Sequence, residues 1–179
     1  MRNIQLSICT FLALSLIACS SNQSLQEYYV ENSENPNFLS IDLPASLLNM
    51  EEAALTATQR EALASLRKLN VLAFKKTDAN SAAFESEKAK VKSILKNKNF
   101  NELMKVNTSF GKASIRYVGE DDAIDEMIIY GDNADKGFLL VRVLGDNMNP
   151  ANMAQFMQAL QKTDYKGEGL EKLADLIKG

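Results

Sequence analysis

Three apolar runs stand one after another late in the chain: KASIRYV (112–118), AIDEMIIY (123–130) and GFLLVRVLG (137–145). The polar turns GEDD and GDNADK separate them. Runs of this length, rich in β-branched and aromatic residues and bounded by Gly, Asp and Asn, predict an antiparallel meander. A loop of 119–123 sets residue 118 opposite 124, so Arg116 is expected to face Glu126. A loop of 131–137 sets 130 opposite 138, so Glu126 is expected to face Arg142. Glu126 then lies between two arginines, on a face shared with Ile124, Ile128, Tyr130, Phe138, Leu140 and Leu144. The other face carries Ala113, Ile115, Tyr117, Met127, Ile129, Leu139, Val141 and Val143. It is the more purely apolar, so it is expected to hold the helices and leave the charged row outward. There each cross-strand pair contributes ~0.2–1 kcal/mol as a register pin. So much apolar surface beside the charges also makes Arg116, Glu126, Ile128, Tyr130, Phe138, Leu140 and Arg142 the candidate interaction face, for a protein partner or a second copy.

The rest of the chain adds helices and shorter strands. FLSIDL (38–43) alternates like a strand and stops at Pro44; a short helix is expected over 45–49. Thr58 with Glu61 has capping-box spacing and opens a helix with Ala62, Leu63, Leu66 and Leu69 on one side. NVLAFKK (70–76) reads as a strand. Asn80 or Ser81 caps a helix that carries Phe84, Val91, Ile94 and Leu95. NFNELMKVN (99–107) fits either a helical turn or a short strand. Asn149 and Pro150 open a helix striped with Met153, Phe156, Met157 and Leu160. A last helix is expected to carry Leu170, Leu173, Ala174 and Ile177. The expected fold is α+β: a two-layer sandwich, with an antiparallel meander, a βαβ-like N-terminal part and helices mainly on one face.

The N-terminus carries an address. Ile4 to Ala18 is an apolar run of fifteen residues behind Arg2. As a helix it would span roughly 22 Å, short of a bilayer core of about 30 Å. The layout is that of a secretory signal peptide. Leu16-Ile17-Ala18-Cys19 resembles the bacterial lipobox, which implies cleavage before Cys19 and acylation of its thiol and new amine. One acyl chain holds a membrane marginally and two or more hold it stably, at about 0.8 kcal/mol per buried CH₂. The alternative is an ordinary signal peptide that ends at a cysteine. The expected organisation is a signal peptide over 1–18, a lipidated tether over 19–36 and one α+β domain over 37–179. Leu25, Tyr28, Tyr29 and Val30 have the composition to dock locally from within the tether.

Removal of residues 1–18 discards Cys9 and leaves 161 residues, with Cys19 their one cysteine and no intrachain disulfide to form. The full-chain charge of −3 lacks the basic stripe that a nucleic-acid partner needs. The chain has no His, which closes Ser-His-Asp and Cys-His catalysis and removes the commonest zinc ligand. Ser65–Lys68 and Ser93–Lys96 each match S-x-x-K, but without the companion motifs of penicillin-recognising enzymes both read as helix-surface residues. GDNADKG (131–137) lacks the oxygen ligands of a calcium loop, and with GEDDAIDE (119–126) it reads as a solvated hairpin turn. Gly167-Glu168-Gly169 lacks a dinucleotide fingerprint, and Met148, Met153 and Met157 read as core rather than as an adaptable pocket. No metal and no cofactor is expected.

SLQEYYVENSENPNFLSIDLPASLL behind a lipobox cysteine, then LNVLAF, FNELMKVN and the meander, together resemble an uncharacterised lipoprotein family of Bacteroidota, known as domain of unknown function 4252. The resemblance runs over nearly the whole mature chain. It implies an envelope location and an α+β fold, and it brings no catalytic residues. The function expected is that of a cell-envelope lipoprotein held by acyl chains on Cys19, at the outer membrane. Its domain is expected to be a non-catalytic binding module facing the periplasm or the cell surface. The alternative is a small His-free hydrolase or transferase that uses carboxylates.

Overall fold

A computed structural model describes residues 23–48, 55–107, 111–120 and 122–162. The signal peptide, Cys19 and the expected C-terminal helix lie outside the described residues. The described elements are α1 (Leu25–Asn32), β1 (Phe38–Pro44), α2 (Ala57–Ala64), β2 (Leu66–Lys75), α3 (Ser81–Ile94), β3 (Asn101–Asn107), β4 (Lys112–Gly119), β5 (Ile124–Asn133), β6 (Gly137–Met148) and α4 (Pro150–Lys162). Two 3₁₀ turns, Ala45–Leu48 and Asp78–Asn80, precede α2 and α3. The strands form one antiparallel sheet in the order β1-β2-β6-β5-β4-β3. The α+β class and the meander β4-β5-β6 are as expected.

The layering differs from expectation. Helices cover both faces rather than one. On one face Ala62 of α2 and Met153 and Phe156 of α4 pack with Ile115, Met127, Val141 and Val143. On the other, Tyr28 and Tyr29 of α1 and Phe84 and Val91 of α3 pack with Ile128, Tyr130, Phe138 and Leu140. The central strands show the consequence. In β2, Leu69 and Val71 join the first core while Leu72 and Phe74 join the second. A strand buried on both faces loses the alternation of a half-exposed one. Leu66 and Leu69 read as helical from their spacing, although both lie in β2; the irregular pairing between Leu66 and Lys68 turns both into the first core. The βαβ-like unit is corrected as well: β1 and β2 pair antiparallel, whereas βαβ needs parallel strands.

The expected tether is largely structured. Ser24 Oγ accepts from the Glu27 N–H at 3.2 Å, and Glu27 Oε2 accepts from the Ser24 N–H at 2.7 Å. This capping box opens α1. Leu25, Tyr28 and Tyr29 are buried beneath it, while Val30 is 65% exposed. The box of α2 is formed by Thr56 and Gln59, two residues ahead of the expected pair. In α4, Asn149 Oδ1 accepts from the Asn152 N–H at 3.0 Å, with Pro150 in the first helical position.

Both meander registers shift by two residues. Arg116 pairs with Ile128 and Glu126 with Val118 across β4–β5; Glu126 pairs with Leu144 and Arg142 with Ile128 across β5–β6. Gly131, Asp132 and Asn133 belong to the ladder rather than to the turn. Three residues close that hairpin. Asn133 Oδ1 accepts the N–H groups of Asp135 and Lys136, and Gly137 takes φ 126°. A Cβ on Gly137 would stand 1.9 Å from the Phe74 carbonyl oxygen, so only glycine fits there. The other hairpin gains its shift through irregular pairing at Val118/Gly119 and Ile124/Glu126. An even shift keeps Glu126, Ile128, Tyr130, Phe138, Leu140 and Arg142 on their expected face, while the irregularity between Ile124 and Glu126 turns Ile124 into the opposite core.

Candidate functional site

The charged row is built from both sheet and helix. Glu126 and Arg142 are diagonal neighbours on β5 and β6. Arg142 Nε and Nη2 donate to the two Glu126 carboxylate oxygens at 2.7 and 2.9 Å, a fork-to-fork pair. The Arg142 Nη1 donates to Gln26 Oε1 of α1. The Tyr29 ring stacks beneath, its centroid 5.5 Å from the guanidinium carbon. The Tyr29 hydroxyl donates to the Leu140 carbonyl at 2.8 Å. The hydrogen bonds that Arg142 donates to Glu126 raise its pKa against the opposing effect of burial. Burial pushes the Tyr29 phenol well up.

The candidate interaction residues meet in part. Glu126 and Arg142 join directly, but Arg116 does not reach them. Its Nη1 instead donates to the Leu95 carbonyl at the C-terminal end of α3. Ile128, Tyr130, Phe138 and Leu140 are at most 6% exposed, under α1 and α3. The face expected to be open to a partner is therefore an interior one, and that reading is corrected. Its aromatic residues pack on each other: Phe74 and Phe138, directly opposed on β2 and β6, stack at 5.5 Å between centroids.

A cavity of about 510 Å³ opens beside the ion pair. Glu126, Arg142, Gln26 and Ser24 line one side; Ser93, Asn97 and Asn99, with Phe100, line the other. Among the described residues Glu126 is the one carboxylate lining it, and Arg142 holds that carboxylate. The arrangement offers hydroxyl, amide and aromatic contacts to a small polar ligand. Among the described residues its lining holds no second carboxylate to pair with Glu126. Among the described residues no three His, Cys, Asp or Glu side chains gather as metal ligands would. The acidic Asp132 is instead clamped by Lys88 at 3.0 Å and Lys92 at 3.2 Å. Burial alone would raise its carboxyl, but those hydrogen bonds outweigh burial and hold it below the usual range.

Sequence reasoning missed Gln26, Tyr29 and the loop after α3 as parts of this site. The Ser24-x-x-Glu27 box was the available signal for α1; nothing local marked Ser93, Asn97 or Asn99. No curated protein and no solved structure matches the chain. Residues 28–156 match the family model described as domain of unknown function (DUF4252), and the chain belongs to that family.

Proposed function

We propose that the protein is a cell-envelope lipoprotein, held at the outer membrane by acyl chains on Cys19, whose domain is a non-catalytic binding module. The observation that carries the reading is the spacing between lipobox and fold. Ser24, which caps α1, follows Cys19 by five residues, a reach of about 18 Å at most. A domain that begins so soon after an acylated cysteine works at the membrane surface, facing the periplasm or the cell exterior. The polar cavity beside the Glu126–Arg142 pair supports a binding role. Its single, ion-paired carboxylate gives no support to the carboxylate-enzyme alternative.

The test is metabolic labelling with a clickable fatty acid. The wild-type chain is expected to take up label and to sediment with membranes. Cys19→Ser is expected to remain unlabelled and to accumulate as the unprocessed precursor. Normal labelling and membrane retention of that variant would refute the anchorage.

A further inference from the structure

A second cleft, of about 590 Å³, lies between the C-terminal end of α3 and strands β3, β4 and β5. Its lining is strongly cationic in a chain whose net charge is −3. Lys92, Lys96, Lys105, Lys112 and Arg116 line it against one carboxylate, Asp132. Lys92 is engaged with Asp132 at 3.2 Å, and Lys105 with Glu102 at 3.1 Å. Lys96 and Lys112 are exposed and have no carboxylate partner among the described residues. Like charges held around one concavity repel unless an anion sits between them.

Two buried donors in the lining point the same way. Arg116 spends Nη1 on the Leu95 carbonyl, yet its Nε is buried without an acceptor. Tyr130 is 6% exposed, and its hydroxyl makes no hydrogen bond of acceptable geometry, although the Asp132 carboxylate stands near it. Buried polar groups are nearly always satisfied, so Arg116 Nε, without an acceptor, and the Tyr130 hydroxyl, with only Asp132 beside it, leave the inner end of the cleft short of acceptors. The donors' chemistry selects the ligand: ammonium, guanidinium and phenol all donate, and a tetrahedral oxyanion accepts from several directions at once.

We propose that this cleft binds a phosphate group, with Lys96 and Lys112 as its charged contacts and Arg116 Nε and the Tyr130 hydroxyl as its inner donors. Lys96 lines both this cleft and the cavity that opens at Gln23 and Ser24, where the chain arrives from Cys19. The cleft thus neighbours the attachment end of the domain. The source of the phosphate rests on the anchorage reading: a membrane-held domain meets it as a lipid headgroup, an unanchored one as a soluble phosphate compound.

The test uses the full-length protein and reads lysine acylation by mass spectrometry. Inorganic phosphate is titrated in neutral detergent against chloride at equal ionic strength. The protein is then placed in phosphatidylcholine vesicles with and without phosphatidylglycerol. Phosphate is expected to shield Lys96 and Lys112 while Lys68 and Lys90, outside the cleft, keep their reactivity. Lys96→Gln with Lys112→Gln, both on the surface, is expected to weaken phosphate binding, followed for this variant by calorimetry in the same detergent, by roughly tenfold or more. Tyr130→Phe is expected to weaken it with the thermal midpoint unchanged. Added shielding by phosphatidylglycerol supports the site and assigns it a headgroup; shielding by phosphate alone supports it and assigns a soluble compound. No shielding in either arm, equal protection by chloride, or unchanged affinity in the double lysine variant would overturn the site. The detergent arm stands even where fatty-acid labelling fails, so failure of the anchor and failure of the cleft are told apart.

Discussion

Arg142 is where sheet, helix and ion pair meet. Its side chain is 11% exposed and that of Glu126 is 17% exposed, so solvent screens the pair weakly. Truncating the arginine leaves a carboxylate half-stripped of water and releases Gln26 and the Tyr29 ring together. Breaking a buried pair by removing one partner costs far more than replacing both. Arg142→Ala is therefore expected to lower the unfolding free energy by ~3 kcal/mol in urea titration. The double change Arg142→Leu with Glu126→Leu is expected to recover most of that loss. A double variant as unstable as the single one would show that the arginine's contacts with α1, and not the stranded charge, set the cost.

Among the elements, the meander strands and the Asn149–Pro150 start of α4 were legible because each rests on local chemistry: apolar runs between turn residues, and a cap before proline. What was not legible depended on partners distant in sequence. The register moved by two residues because Gly131–Asn133, turn formers by composition, are drawn into the ladder opposite Gly137–Leu139. The burial of the row face was invisible from the strands alone, since its cover comes from α1, 111 residues earlier in the Tyr29–Leu140 contact, and from α3. Helix α1 itself was hidden by its polar composition; tertiary packing of two tyrosines, more than propensity, holds it. This makes the boundary testable. A chain begun at Gln23 is expected to unfold cooperatively. One begun at Asn37, the boundary that composition alone suggests, uncovers Leu72, Phe74 and Leu140 and is expected to aggregate or lose its sharp transition. Equal thermal transitions for the two would show that α1 is an ornament on the fold.

For the whole molecule, under the proposed acylation of Cys19, the distance between that residue and the fold decides which surface meets lipid. Five residues from Cys19 to Ser24 reach about 18 Å when fully extended, which keeps the start of α1 within that range of Cys19, and Lys96 lines the cavity that opens there. Electrostatic attraction to an anionic surface decays over a Debye length of about 8 Å at physiological salt, so the cleft senses headgroups only while the domain stays close. Inserting twenty Gly/Ser residues after Ser20 lengthens the connection to 25 residues, whose root-mean-square span is roughly 28 Å. The domain then spends most of its time beyond the range of the surface charge. Shielding of Lys96 and Lys112 by phosphatidylglycerol vesicles is expected to fall several-fold in the long-tether variant, while shielding by inorganic phosphate in detergent stays at the wild-type level. Loss of both would place the damage in the fold. Retention of both would mean that the cleft finds headgroups by its own affinity, with the short tether irrelevant to what it binds.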